Sequence, residues 1–523
     1  MRASIFGNLV LGTLSGQALI NAQTPALSSS TANPTSFASP SSFPNITVND
    51  RPSGALNATA WSLVYSYPLY IFGNFAGAVL KNVGVNQIFH QRTLASIGSS
   101  AVIKPNVDTV YSRAVLDLSS KDVVLTIPEI TDRYWVYPIL DPYGNVIAEI
   151  GIVNNNTAGD YLIRRADDVA SAPGYYNTSS LVQIALPDLQ AASKYAGVIN
   201  LPTTHATILI RLLVLQNTTA DLNIIQKYQN ASSLTEIPRT NSYAPSPPAN
   251  SSLSSLAPNG SLLGIDTPAK VLDFASRFVL YNQPELPAER QRVAGILGQA
   301  GVYGGTYTPV SGVNLTQAAV IANASITADI GRSQNIRYQS NDWQLSSEAY
   351  QGNYGYNYAG RAYVAIYGYQ QQTVIQTLYP GYRSLGFTSQ FTLAANKSLL
   401  FTFSGKPPVQ TQDYGFWSIT VYGADQYLIP NPINRPSVSD RVHTLTYQGS
   451  NETVYGPRAN TTRNGPFQIL LQPANQPPPT NWTSNWLPVV QTFSFITRWY
   501  VPEAALTNGS YVYPKVETID VIV

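Results

Sequence analysis

At 523 residues the chain is too long for one ordinary hydrophobic core, and its length predicts two domains or one large domain with extensions. A net charge of +2, with Lys and Arg scattered and forming no basic stripe, argues against nucleic acid as a partner. The absence of Cys excludes disulfides, thiolate nucleophiles and Cys-ligated metals, while 34 Tyr, 37 Pro and 35 Gly against 11% charged residues is the usage of a turn-rich extracellular β protein.

The first 22 residues, MRASIFGNLVLGTLSGQALINA, set Arg2 ahead of an apolar run that ends at the small residue Ala22. That is the pattern of a secretory signal cleaved before Gln23, with cleavage near Ala18 as the alternative. Residues 23–55 read as a Ser/Thr/Pro/Ala-rich arm. Fifteen Asn-x-Ser/Thr acceptor sites fit a secreted, extracellular glycoprotein made by a eukaryotic cell: Asn45, Asn57, Asn155, Asn177, Asn217, Asn230, Asn250, Asn259, Asn314, Asn323, Asn396, Asn451, Asn460, Asn481 and Asn508. The charge-free stretch Trp61 to Leu80 has membrane length but contains Ser62, Ser66, Pro68 and Asn74, so it predicts a buried helix and no membrane span.

Residues 56–243 form the first predicted domain. The runs VVLTI (123–127), YWVYPIL (134–140) and VIAEIGIV (146–153), separated by Pro, Gly and Asp turns, predict an antiparallel sandwich. Within it, KPNVDTVYSRAVLDL, Lys104 to Leu118, leads from a Pro-Asn turn into a strand whose core face is Val110, Ser112, Ala114, Leu116 and Leu118. Its other face carries Thr109, Tyr111, Arg113, Val115 and Asp117, close enough in type for a charge-assisted network.

The low-complexity stretch APSPPANSSLSSLAPNGS marks a linker over residues 244–262, followed by a helical connection over 263–340. In TPAKVLDFASRFVLY, Thr267 is a candidate N-cap, Pro268 suits the first turn, and Val271, Phe274 and Phe278 share one stripe. A longer helical pattern, AYQGNYGYNYAGRAYVAIYGYQQQ, puts Tyr350, Tyr354, Tyr358, Arg361, Ala362 and Ala365 on one face, although its glycines weaken it. Residues 341–523 return to strands at LLFTF, FWSITVY, FQILLQ and FSFITRWY. The fold class predicted is therefore mainly β with helical connections, as two β-sandwich or jelly-roll-like domains.

His90, His205 and His443 each stand alone, with no HxH, HxD or HExxH pair, so no metal centre is expected. Phosphate loops, dinucleotide fingerprints and GxSxG elbows are absent, and no cofactor is expected either. What remains is aromatic, carboxylate and guanidinium chemistry, suited to acid-base work or to ligand binding.

KPNVDTVYSRAVLDL, DRYWVYPILDPYGNV and AGDYLI, with LPTTHATILIRLLVLQNTTADLNIIQKYQ carrying Arg211, Gln216 and Asp221, resemble the family of domain of unknown function 1254 over roughly residues 60–235. YGYNYAGRAYVA, GKPPV, GFWSITVYG, NPINR and NWLP before RWYVPEAAL resemble its usual companion, domain of unknown function 1214. The resemblance implies two β-sandwich-like domains, the second a jelly roll, joined by helices, and implies little about activity. The long arm, the many acceptor sites and a VQTQDY insertion depart from many bacterial relatives.

Asp108, Tyr111 and Arg113 are the candidate catalytic residues, with Arg113 holding an anionic or carbonyl oxygen while Tyr111 or Asp108 handles a proton. Asn106, Tyr358, Arg361 and Trp417 are candidate substrate contacts, all gathered in a pocket at the domain junction. Each has a structural alternative: an Asx turn for Asn106 and Asp108, sandwich core for Trp417, and a carboxylate partner (Asp117, Asp141 or Asp413) for Arg361. Two functions follow as expectations: a cofactor-independent enzyme on a small organic molecule, in the processing of a secreted metabolite, or a non-catalytic binder of a glycan or small apolar ligand.

Overall fold

The computed structural model describes residues 52–98, 103–166, 173–177, 194–239, 251–257, 267–385 and 390–523. The signal segment, nearly all of the arm, Asn45, Asn250, Asn259 and most of the 244–262 linker lie outside the described residues.

The protein is mainly β. In the first half, one sheet has the order β1 (Ile88–His90), β2 (Thr109–Asp117), β9 (His205–Leu213), β4 (Trp135–Leu140), β5 (Val146–Gly151). A second has the order β10 (Ser233–Ile237), β3 (Asp122–Ile127), β6 (Gly159–Arg165), β8 (Gly197–Leu201), β7 (Gly174–Asn177). Val110, Ala114 and Leu116 of β2 pack against Leu125, Ile163 and Ile199 of the other sheet, as the alternation of β2 predicts. The outer face of the first sheet is covered as well, so β4 and β5 are buried along their whole length. Two covered faces explain why their sequences run apolar with little alternation.

The helices are α1 (Gly54–Leu80), α2 (Thr219–Ala231), whose Ile225 joins the core between the two sheets, α3 (Pro268–Phe278), α4 (Arg290–Gln299), α5 (Leu315–Ile330) and α6 (Tyr358–Gly368). Of these, α1, α3, α4, α5 and α6 share one core. By length and composition α1 could cross a membrane, but 67% of its most apolar window is buried inside the protein, against α3, α5 and α6. Helix α3 forms as predicted: the Thr267 hydroxyl accepts from the Lys270 backbone N–H at 3.3 Å, and Val271, Phe274 and Phe278 are buried.

Two expectations are revised. The helical pattern beginning at Tyr350 yields a helix only from Tyr358, because Gly352 (φ +77°) and Gly355 (φ +53°) take the left-handed region that interrupts a helix. The supposed linker is partly docked: Leu253–Leu256 forms one helical turn, Leu253 and Leu256 are buried in the helical core, and the Leu253 N–H donates to Asp117 at 2.8 Å. Its Ser-rich composition conceals two core leucines.

The second half pairs the strands Lys397–Phe403, Phe467–Pro473, Trp486–Val489 and Lys515–Asp520 in one sheet. The other holds Thr377–Leu378, Thr492–Tyr500, Phe416–Gly423 and Ser437–Ser439. Phe401, Ile469, Trp417, Ile419 and Phe495 fill the core between them.

Candidate functional site

The candidate residues separate into two centres. At the first, the Asn106 side-chain oxygen accepts from the Asp108 and Thr109 N–H groups at 2.6 and 3.2 Å, the Asx turn, while its amide donates to the Tyr500 hydroxyl at 2.8 Å. Asp108 is 1% exposed, accepts from the Ser418 hydroxyl at 2.6 Å and is ion-paired with Arg441. Its carboxylate therefore joins the first sandwich to the second. Trp417 points the other way, into the second core, with its indole N–H on the Tyr455 hydroxyl at 2.8 Å.

Antiparallel register sets Tyr111 of β2 beside Arg211 of β9. The Arg211 guanidinium lies 5.2 Å from the Tyr111 ring centre and donates to the Tyr111 hydroxyl at 3.3 Å and to the Gln370 carbonyl at 3.0 Å. Arg113 is half-buried and forms no ion pair among the described residues, and burial holds its pKa below the usual value. Across the junction Arg498 donates to the Thr420 and Tyr422 hydroxyls at 3.0 and 2.9 Å.

The second centre surrounds Arg361. Its guanidinium carbon lies 4.3, 4.7 and 4.8 Å from the ring centres of Tyr143, Tyr65 and Tyr358. It is 2% exposed, donates to the Tyr65 carbonyl at 3.1 Å, and leaves its Nε without a partner. No carboxylate forms an ion pair with it among the described residues. Asp117 instead accepts from the Ser119 and Leu253 N–H groups. Asp141 caps its own turn through Tyr143 N, Asn145 N and the Asn145 amide at 2.9, 2.9 and 2.7 Å, and Asp413 lies half-buried in the 3-10 turn Thr411–Asp413. A buried cation without a close counter-charge costs several kcal/mol in general, and three ring faces offset about 0.5–2 kcal/mol each.

Glu285 completes this centre. Burial raises its pKa to about 7, Asp141 adds to the rise and Arg361 opposes it. Its Oε2 has no hydrogen-bond partner, and the buried Tyr65 hydroxyl lies beside the Tyr143 hydroxyl and the Arg361 guanidinium. Tyr65 also lines a cleft of about 270 Å³ between α1, α3, α4 and the hairpin at Val302, whose wall includes Arg290 and Pro284, the residue that precedes Glu285 in the chain. A cleft with convergent polar groups and a displaced carboxyl pKa is the arrangement that proton-transfer sites share.

Of the residues singled out from sequence, Tyr358 and Arg361 belong to this second centre, while Asn106, Asp108, Tyr111 and Arg113 belong to the first. The segment after α6 bridges them, with Tyr369 donating to the Pro142 carbonyl at 2.9 Å and Gln370 to Thr207 at 2.8 Å. Sequence reasoning missed Tyr65 and Glu285. A carboxylate between two prolines in Asn-Gln-Pro-Glu-Leu-Pro, next to an apolar helix, was the available signal.

Residues 85–236 match the family model described as protein of unknown function DUF1254, and residues 388–504 match the one described as protein of unknown function DUF1214. Among solved structures, the VPA0106 protein of Vibrio parahaemolyticus aligns with 89% of this chain and 100% of its own at TM-score 0.54 and 15% identity, a likeness of fold. An uncharacterised protein from Burkholderia cenocepacia aligns at TM-score 0.38 and 12% identity, covering 91% of this chain and 92% of its own. No curated protein matches the sequence. The chain thus carries a DUF1254 region followed by a DUF1214 region, in the order its motifs indicate.

Proposed function

We propose that the chain is an exported glycoprotein whose cleft between α1, α3 and α4 performs proton transfer on a small organic molecule, without a redox cofactor, in the processing of a secreted metabolite. The observation that carries this reading is the proximity, beside the cleft, of a buried cation without an ion pair, Arg361, and a carboxyl raised to about 7 whose Oε2 is unpartnered, Glu285. In this reading Glu285 takes the proton, and the Tyr65 hydroxyl with the field of Arg361 stabilises the oxygen on which negative charge develops. Export is supported by the apolar first 22 residues and by exposure of the acceptor asparagines: of the twelve within the described residues, only Asn57 and Asn323 are half-buried.

The test is a metabolite-difference measurement by mass spectrometry, with wild type and Glu285→Gln incubated separately in a small-molecule extract of the producing culture. A compound consumed by wild type, in chelator and without added nicotinamide or flavin, but left by the variant is the expected result. A compound carried through purification and released unchanged would favour the non-catalytic binder instead.

A further inference from the structure

We propose that the hairpin Val302–Tyr307 selects the ligand of this cleft, and that the ligand is a flat ring compound of one or two rings bearing a single oxygen function. The inference rests on the reading of the cleft given above and names its substrate class.

The wall is largely apolar, with Val279, Leu280, Val293, Leu297 and Val302 beside the single charged side chain of Arg290. Two large side chains on it are held out into water: Tyr303 is 81% exposed and Leu280 46%. Keeping such groups in water forgoes about 25 cal/mol per Å² of apolar area, so an apolar face laid against them gains that burial on binding. The hairpin is preformed. Gly304 (φ +61°) and Gly305 (φ +84°) make its left-handed two-residue turn, Thr306 donates to the Tyr303 carbonyl at 3.1 Å, and Thr308 N closes on Gly301 O at 2.9 Å. A ligand therefore meets Tyr303 already in place.

Polar groups are few. The Ser276 hydroxyl already donates to the Asp273 carbonyl at 2.7 Å, and Gln283 faces solvent, which leaves the half-buried Arg290 guanidinium, a donor only, as the polar side chain of the wall. A sugar, with a hydroxyl on nearly every carbon, would strand most of its donors here. The volume of about 270 Å³ stands at the lower end of ligand pockets and suits one or two rings.

The probe is 2-naphthol, followed by its fluorescence, with maltotriose as the sugar control. Saturable binding of 2-naphthol to the full-length glycoprotein, weakened at least about fivefold by Tyr303→Ser and retained by Tyr303→Phe, is expected, because one aromatic contact carries about that much. Tyr303 is exposed, so an unchanged melting temperature confirms that the Ser variant is folded. Absence of 2-naphthol binding, equal binding by Tyr303→Ser, or displacement of 2-naphthol by maltotriose would overturn the proposal. Loss of turnover in Glu285→Gln together with normal binding by Tyr303→Ser would sink the ring assignment and leave the proton-transfer reading standing. Turnover by Glu285→Gln alongside the expected Tyr303 effect would do the reverse.

Discussion

The Ser418 hydroxyl donates to the Asp108 carboxylate at 2.6 Å across 310 positions of sequence, so the first sandwich is closed onto the second by a side chain that sequence alone nominates as a catalyst. Arg441 pairs with the same carboxylate, is 16% exposed, and has Asp440 as a second partner at 2.8 Å. Asp108→Asn keeps an acceptor for Ser418 and removes the charge. It is expected to cost ~2 kcal/mol, below the 3–5 kcal/mol typical of a fully buried pair, as measured by urea denaturation. An unchanged midpoint would mean that Asp108 is not structural.

Arg113 and Arg361 are expected to separate. Arg361→Gln loses three cation–π contacts and a buried hydrogen bond, and should destabilise by ~2–4 kcal/mol. Arg113→Gln, from a half-buried residue with no ion pair, should stay within ~1 kcal/mol. Parallel melts of the two variants decide it, and equal losses would refute the distinction.

Glu149 of β5 is 7% exposed and accepts from the Thr373 hydroxyl and N–H at 2.5 and 3.1 Å. Burial raises its pKa from 4.5 to about 7 despite those bonds. Because the folded pKa exceeds the unfolded one, the folded state holds the extra proton between those values, and the stability this contributes is lost as pH rises toward 7. Glu149→Gln has no such proton to lose. Its melting temperature should gain on wild type as pH rises from about 4.5 to 8, by an amount equivalent to up to ~3 kcal/mol. A constant difference across that range would contradict the assignment.

Glu285, raised to about 7 chiefly by burial, should print that value on any activity of the cleft. As a base it works deprotonated, so kcat/KM is expected to rise with pH through an inflection near 7. Glu285→Gln should remove the inflection and lower the rate by ~10²–10⁴-fold. A pH profile that keeps its inflection in the variant would place the base elsewhere.

Glycan occupancy should follow exposure. Asn57 donates to the Ser53 carbonyl at 3.0 Å within the start of α1, and Asn323 is half-buried in α5 with an unpartnered side-chain oxygen. Both are expected to be unmodified, while exposed turn positions such as Asn155, Asn217, Asn396 and Asn508 carry glycan. Glycopeptide mass spectrometry reads this directly, and full occupancy at Asn323 would contradict it.

Local patterns reported local structure well. The alternation of Val110, Ala114 and Leu116, the cap at Thr267 and the stripe of Val271, Phe274 and Phe278 lie where periodicity puts them, because each depends on a few adjacent residues. Asp108 and Arg361 were visible as unusual residues, but their partners were not. Arg441 lies 333 positions from Asp108, and Tyr65 lies 296 from Arg361, separations at which no spacing rule operates. The over-long helix has a different cause. Its tyrosines keep a helical period although Gly352 and Gly355 break the backbone, so the stripe records burial against α1 and α5, not continuity of the helix.

Helix α1 also constrains synthesis. Its core partners α3, α5 and α6 begin at residues 268, 315 and 358, so this long apolar helix emerges from the ribosome some two hundred residues before the first of them. At about 5–20 residues per second, Leu69, Phe72 and Val79 wait ~10–40 s for the surfaces that bury them. During that interval a helix of membrane-spanning length stands open to solvent, lipid or a folding helper. The yield of this protein should therefore depend on what shields α1 in transit, and faster elongation or a chaperone for nascent apolar segments should raise it.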